Sequence, residues 1–542
     1  MEVYTPSAPI YGVNNDVLLF IFTLNADMFF DSQALHTARA TSQVCRQWRD
    51  LMLEAPLLWS KLIDMDICNN DGKLGWITEI IRRSGTVAPL WIKAEVNGRS
   101  RWRSDTDNIK QFFMDLLSNN WYRIQKLVVF QDRYSGLWFN LTFPMLCFPA
   151  PQLERFTILR TDGYSYKRSP ATESIFSTHA PMLRTFRLPG YAVHQEPWIR
   201  HLHTMLLDSA YGIREALTVL SAMNCLQELE INNITYGDIA TSLPIAALPH
   251  LKYLKFDGEP TQNYAMLLDH MTIPVGCSLD FRVSYPHDHP RNAERMLKIE
   301  RVFEVFIRRA EGYLESHKFD TFHLDYKPHD RLTLKLGGKP PVECMLSISI
   351  PLHQDLVPMS LRRINYADLA NITTFQLHTE GALPRSFRLF FQEFPSVHTI
   401  HTDDLSFHHL STFQRSINAT RKSFATFPRL KVIRVSISDD TRVFNLDKEF
   451  FLSRFENGHP IEMLDISNGL PFTSPPDLDA IEAVKGLKVR YKLPQTQEVF
   501  EHTCGGRDPA NQCGVSDSGG REVWVECGSL QVYELWIEAG NL

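Results

Sequence analysis

A chain of 542 residues is too long for one hydrophobic core, so at least two structural units are expected. Its 44% hydrophobic and 22% charged residues are ordinary for a soluble globular protein and argue against extensive disorder. Lys and Arg number 56 against 62 Asp and Glu, a net charge of −6, and no long basic run concentrates a phosphate-attracting field, so neither nucleic acid nor membrane is an expected partner. Arg82-Arg83 and Arg308-Arg309 read as solvated faces. The nine cysteines are odd in number and lack paired spacing, which suits reduced thiols in a cytoplasmic or nuclear protein. No basic segment followed by an apolar core opens the sequence, and no run of about 18 apolar residues occurs, so no secretory signal or membrane span is expected. Asn140-Leu141-Thr142 then reads as a chance glycosylation triplet.

In chain order, Asn14 or Asn15 can cap a first helix, with Asp16 in the first turn where negative charge suits the helix dipole. Val17, Leu18, Ile21 and Phe22 give that helix one broad apolar face. Asn25, Asp27 and Asp31 punctuate the chain before a second helix predicted over Ser32 to Leu53. Cys45, Trp48 and Met52 share a stripe on it, flanked by Val44 and Leu51. Pro56 marks the exit, and Leu57 and Trp59 continue the apolar surface. A unit of about 60 residues buries too little surface to hide this many large side chains. Exposed apolar clusters on small helical units mark protein partners.

Three spaced blocks carry a resemblance: Val13-Asn14-Asn15-Asp16-Val17-Leu18-Leu19-Phe20-Ile21-Phe22, then Val44-Cys45-Arg46-Gln47-Trp48-Arg49, then Pro56-Leu57-Leu58-Trp59. The region resembles an F-box, with Asn14 where the family has proline. Arg83-Ser84-Gly85 followed by Pro89-Leu90 and a strand is similar to the region after the F-box in many fungal F-box proteins. The resemblance implies binding of a Skp-type adaptor and, through it, a cullin-RING ubiquitin ligase. The contacts it implies are Val13, Val17, Leu18, Ile21, Phe22, Val44, Cys45, Trp48, Leu57 and Trp59. Packing inside the module is the competing role for several of these, Trp48 and Ile21 among them.

A strand-like piece at Lys61 to Ile67, a polar turn at Asn69-Asn70-Asp71-Gly72, a short helix with Trp76, Ile77, Ile80 and Ile81, and a strand over Pro89 to Val96 come next. Beyond them the phrase apolar-x-x-apolar-x-apolar recurs. It starts at Ile124, Leu153, Leu183, Leu226, Leu251, Ile372, Leu430 and Ile461, with a weaker copy at Val397. Many copies follow a proline, and neighbouring starts are mostly about 25 to 33 residues apart, near the leucine-rich repeat period. The first apolar residue closes a turn into the core, and the next two alternate inward on a short strand. One unit cannot bury its own edge, but a stack can. Helical pieces fall between strands, such as Phe112, Phe113, Leu116 and Leu117. Met296 to Leu314 reads as an amphipathic helix packed on the stack.

The expected architecture is an α+β or α/β repeat: a helical module over 1–67, a connecting segment over 68–115, an irregular leucine-rich-repeat-like solenoid over 116–492, and a partly flexible Gly/Ser-containing segment over 493–542. Irregular spacing between Phe256 and Ile372 implies insertions, or two smaller α/β units in place of one arc. Gly505-Gly506, Asp508-Pro509 and Ser516 to Gly520 read as flexible, with strands at Val523 to Val525 and Leu530 to Ile537. No metal or cofactor is expected: His287-Asp288-His289 lacks a third ligand, His408-His409 with Asp403-Asp404 fares no better, and Cys504, Cys513 and Cys527 do not match zinc spacing. No phosphate-cradling loop, nucleophile elbow or His-Glu-x-x-His occurs, so no catalysis is expected. The expected role is a non-catalytic one, recruiting an unidentified target protein. The outward positions of the repeat strands, Gln227, Glu228, Glu230, Lys252, Lys255, Lys431 and Arg434, are its candidate target surface.

Overall fold

The computed structural model describes residues 13–65, 74–96, 106–131, 144–160, 174–193, 196–235, 242–258, 262–283, 304–309, 311, 313, 315, 317–328, 330–337, 345–351, 366–418, 425–437, 447–468, 478–492, 498–506, 513–516 and 522–525. They form a mixed α/β fold that divides into two compact units, Met1–Phe306 and Ile307–Leu542. The turn at 69–72, His287-Asp288-His289, Asn140 to Thr142, Asp508-Pro509, most of Ser516 to Gly520 and the strand expected over 530–537 lie outside the described residues. So does most of the Met296 to Leu314 segment, apart from the helical residues 304–309 and scattered positions to 313.

The first unit opens with four helices: α1 (Asn15–Leu24), α2 (Ala34–Thr41), α3 (Arg46–Leu53) and α4 (Pro56–Trp59). Asn14 caps α1, its side chain accepting the Asp16 N–H at 2.8 Å. The single helix expected over Ser32 to Leu53 is two. The Ser42 hydroxyl turns back to the Arg39 carbonyl at 2.7 Å, and Cys45 restarts the chain in extended conformation, its sulfur accepting the Trp48 N–H at 3.4 Å. Such side-chain bonds to the backbone compete with helix continuation.

Strand β1 (Ile63–Asp64) follows directly, within the strand-like piece expected at Lys61 to Ile67. Helix α5 (Leu74–Arg83) and strand β2 (Leu90–Val96) come next, then α6 (Thr106–Asn120) and β3 (Ile124–Gln131). Strands β4 (Arg155–Arg160), β5 (Thr185–Arg187), β6 (Thr204–Leu207) and β7 (Glu228–Asn232) continue the order, with α7 (Ile213–Ser221) before β7. A two-residue β8 (Ala246–Ala247) precedes β9 (Tyr253–Gly258). Helix α8 (Gln262–Asp269), β10 (Met271–Thr272) and β11 (Ser278–Val283) close the unit. Leaving aside β8 and β10, which pair with each other, each strand pairs in parallel with the next from β1 to β11.

The recurring phrase sets this geometry. Its first apolar residue ends a turn whose N–H reaches a carbonyl three residues earlier: Leu153 to Ala150, Leu183 to Ala180, Leu226 to Met223 and Leu251 to Leu248. The polar residue after it then accepts two consecutive N–H groups from the next repeat. The Glu154 carbonyl takes Arg184 and Thr185, and the Gln227 carbonyl takes Lys252 and Tyr253. An unnoticed copy at Leu202 behaves identically, with the His203 carbonyl taking Gln227 and Glu228. Each step thus satisfies backbone groups that the sharp strand entry would otherwise leave unpaired.

In the second unit β12 (Thr321–Lys327), β13 (Arg331–Gly337) and β14 (Met345–Pro351) form an antiparallel meander, the insertion implied by the irregular spacing. On its other side β12 pairs in parallel with β15 (Thr374–Thr379). Helix α9 (Phe387–Gln392), β16 (Thr399–Asp403), α10 (Asp404–Asn418), β17 (Val432–Ser436), α11 (Lys448–Glu456) and β18 (Met463–Asp465) follow. Strand β19 (Lys488–Lys492) adds in parallel, and β20 (Val499–Thr503) turns back antiparallel to it. A last pair, β21 (Cys513–Ser516) with β22 (Glu522–Val525), stands apart. The same double acceptor recurs at Asp320, Thr373, His398 and Lys431. Gly258, the last residue of β9, is sterically constrained: φ is +132°, and an added Cβ would lie 2.2 Å from the Asn233 amide oxygen. Gly258→Ala is expected to destabilise the first unit by about 1–3 kcal/mol, read as a lower denaturant midpoint at unchanged slope.

Candidate functional site

Helix α1 presents two faces. Leu18 and Phe22 are 3% and 5% exposed and, with Met52, Leu58 and Trp59, fill the module interior. Phe22 packs on Trp48 at 5.0 Å between ring centroids, and the Trp59 indole donates to the Met52 carbonyl at 2.7 Å. The other face carries Val17, Phe20, Ile21 and Leu24, each between 43% and 64% exposed. These four are spaced i, i+3, i+4 and i+7, one stripe of an α-helix. Val44 and Leu57 are exposed on the same module, while Val13, Cys45 and Trp48 are half-buried.

The candidate contacts therefore separate. Val17, Ile21, Val44 and Leu57 stand on the surface, whereas Leu18, Phe22 and Trp59 belong to the core and offer no free face. The correction has a simple cause: α3 and α4 both pack on α1, and only the fold shows which side of α1 they cover. Phe20 and Leu24 were missed by the sequence reading. The i, i+3, i+4, i+7 spacing was the signal that could have found them.

The module is seated on the outward face of its own sheet. Phe29, in the α1–α2 loop, lies 6.0 Å from the Trp91 ring, and Arg155 sits 5.7 Å from the Phe29 ring. The ammonium of Lys126 stands 3.4 Å from the Trp91 ring centre and that of Lys61 4.7 Å. Burial lowers the pKa of Lys61, Lys126 and Arg155, and the Asp27 carboxylate partly offsets it in all three. A desolvated cation against an aromatic face contributes about 1–2 kcal/mol. These contacts fix the helices to the sheet instead of leaving them on a linker.

Further along, the outward strand positions form charge ladders. Lys255 bridges Glu230 at 2.7 Å and Asp257 at 3.2 Å, and Arg187 reaches Glu228 and Glu230 at 3.5 and 3.6 Å. Burial alone would lower the Lys255 pKa, but Glu230 and Asp257 raise it. In the second unit one rung runs in register through His323, Gln376, His401, Arg434, Asp465, Arg490 and Glu501. Burial lowers His323 and His401, the latter also facing Arg434. Lys431 pairs with Glu462 at 2.8 Å and Arg434 with Asp465 at 3.8 Å. Of the candidate target contacts, Glu228, Lys252 and Arg434 are exposed; Gln227, Glu230, Lys255 and Lys431 are half-buried. Five of the seven are engaged in these ion pairs, so the face is charge-compensated.

His408 and His409 lie 5.8 Å apart on α10, whereas Asp403 accepts from Ser406 and pairs with His378, a helix-start arrangement. Among the described residues one trio could hold a metal ion: Glu482, His502 and Cys504, whose ligand atoms all lie within 4.8 Å of one another. No helix among the described residues is long and apolar enough to cross a membrane. No protein-family model matches the chain, and no curated protein matches it.

Proposed function

We propose that the chain is the substrate-recruiting subunit of a Skp–cullin–F-box ubiquitin ligase. The helical module binds the Skp-type adaptor, and the two strand-stacked units act as irregular leucine-rich-repeat-like solenoids that hold a target protein. The observation that carries this reading is the exposed apolar stripe of Val17, Phe20, Ile21 and Leu24 beside an independently filled module core. Burying a large apolar side chain contributes about 1.5–3 kcal/mol, so four of them can anchor a partner. In this reading the bond-forming chemistry belongs to other subunits, and the chain works by raising the effective concentration of its target.

Asn14 is compatible with that role. Its φ of −58° is the value proline would impose, and its side chain caps the helix that proline would otherwise only start. The alternative is a repeat-based interaction scaffold with no ligase role.

Binding of the full chain to a purified Skp adaptor separates the two. The wild-type chain is expected to bind, and Ile21→Glu and Leu57→Glu to weaken binding at least about 100-fold without lowering the melting temperature, since both positions face solvent. Failure of the wild-type chain to bind would leave the scaffold reading.

A further inference from the structure

We propose that Glu482, His502 and Cys504 form a zinc site at the edge of the second unit. His502 lies on β20, and Cys504 follows two residues later, in the turn just past the strand's end. Register fixes them: His502 pairs with Val489, the Cys504 N–H donates to the Leu487 carbonyl at 2.9 Å, and the Gly486 N–H donates to the Cys504 carbonyl at 2.9 Å. Glu482 comes from the preceding connection, just after the short turn Asp479–Ile481. Its Oε1 meets the His502 Nε2 in a short hydrogen bond, and its Oε2 accepts the Gly505 N–H at 2.8 Å.

That last bond orients the carboxylate from behind, as outer partners orient metal ligands. Gly505 is needed for it. Its φ is +75°, and a Cβ there would meet Lys485 Cγ at 2.7 Å and Lys485 Cα at 2.9 Å. The remaining oxygen faces the imidazole and the thiol, all three ligand atoms lying within 4.8 Å. Tetrahedral zinc with bonds of about 2.0–2.3 Å separates its ligand atoms by roughly 3.3–3.8 Å, which small side-chain adjustments supply.

The donor set is one sulfur, one nitrogen and one oxygen. A thiolate with an imidazole selects zinc over calcium or magnesium, which take oxygen ligands. On binding, the Cys504 proton leaves to solvent, and the hydrogen on His502 Nε2 moves to Nδ1. Thiolate, carboxylate and neutral imidazole then balance the dication. His502 and Glu482 are partly exposed, which leaves the fourth position open to water. Sequence spacing hid the site because Glu482 is contributed from across a strand pairing.

The test is zinc retention by the full chain after competition with a chromophoric chelator, with cobalt as a spectroscopic substitute. One equivalent of zinc and a thiolate-to-cobalt charge-transfer band are expected. His502→Gln and Cys504→Ser should each lose both, whereas Cys277→Ser, at a buried thiol elsewhere, should keep both. Because Cys504 is buried and its replacement could unfold the edge, the partly exposed His502→Gln carries the test with its circular dichroism unchanged. A wild-type chain that retains no zinc, or a folded His502→Gln that retains as much as wild type, would overturn the proposal.

Discussion

Phe375→Ala is expected to destabilise the second unit by about 3–5 kcal/mol, the range for a large aromatic side chain truncated in a closed core. Phe375 is the second apolar residue of its repeat and is fully buried. Its ring lies 5.4 Å from Phe322, 5.8 Å from Phe391, 5.1 Å from Phe394 and 4.9 Å from Phe427, drawing on neighbouring strands, α9 and two turns. Those neighbours are rigid and come from different segments, so the space cannot collapse without moving strands. Phe375→Leu keeps most of the buried volume and should lose about 1–2 kcal/mol. Thermal melts of the full chain should show the alanine variant losing its transition by roughly 10 °C. A loss below about 1 kcal/mol would mean that the aromatic cluster relaxes around the gap, against the close packing described here.

Arg454→Ala is the second large effect. The guanidinium on α11 is buried at 2% exposure and donates to the carbonyls of Thr426 and Phe427 at 2.7 and 3.0 Å. Phe427 holds a positive φ of 53°, and its carbonyl accepts the Leu430 N–H at 3.0 Å as well as the guanidinium. Gln414 satisfies the Thr426 N–H at 2.9 Å from the other side. Burial pushes the Arg454 pKa down to about 10, which leaves it charged at neutral pH and desolvated. Removing it deletes two charge-assisted bonds, leaves the Thr426 carbonyl without its guanidinium donor and the Phe427 carbonyl with the Leu430 N–H alone, and opens a cavity, together about 3–5 kcal/mol. Arg454→Met fills the cavity and removes the charge but takes the donor from the Thr426 carbonyl and one of two donors from the Phe427 carbonyl, so it should lose about 1–3 kcal/mol. A methionine variant as stable as wild type would show that the desolvation of the cation outweighs its two bonds. Because burial holds the folded guanidinium below its ordinary value, the unfolded chain binds the proton more tightly, and raising pH above about 10 should relieve part of the penalty.

Much of the strand pattern was legible before folding. The phrases at Leu153, Leu183, Leu226, Leu251, Leu430 and Ile461 each become a strand two residues later, because period-two alternation and a polar second residue are local properties. The copies at Leu202, with Met205 and Leu207, and at Phe319, with Phe322 and Leu324, keep the same apolar spacing and were equally legible. The strand-like piece expected at Lys61 to Ile67 contains the first strand of the sheet, but its two-residue bounds come only from pairing with Ile92 and Lys93.

Most of the recurring phrases, the cap at Asn14 and the apolar content of the N-terminal helices were readable in the chain, since each rests on contacts within a few residues. Only the tertiary structure decided which side of α1 is covered, leaving Val17 and Ile21 outside and Leu18 and Phe22 within. It also decided that Glu230 and Lys255 neutralise each other and that Glu482, His502 and Cys504 meet at one point. Those outcomes depend on segments distant in the chain arriving at the same place, and strand register, set by the whole stack, has no local signature.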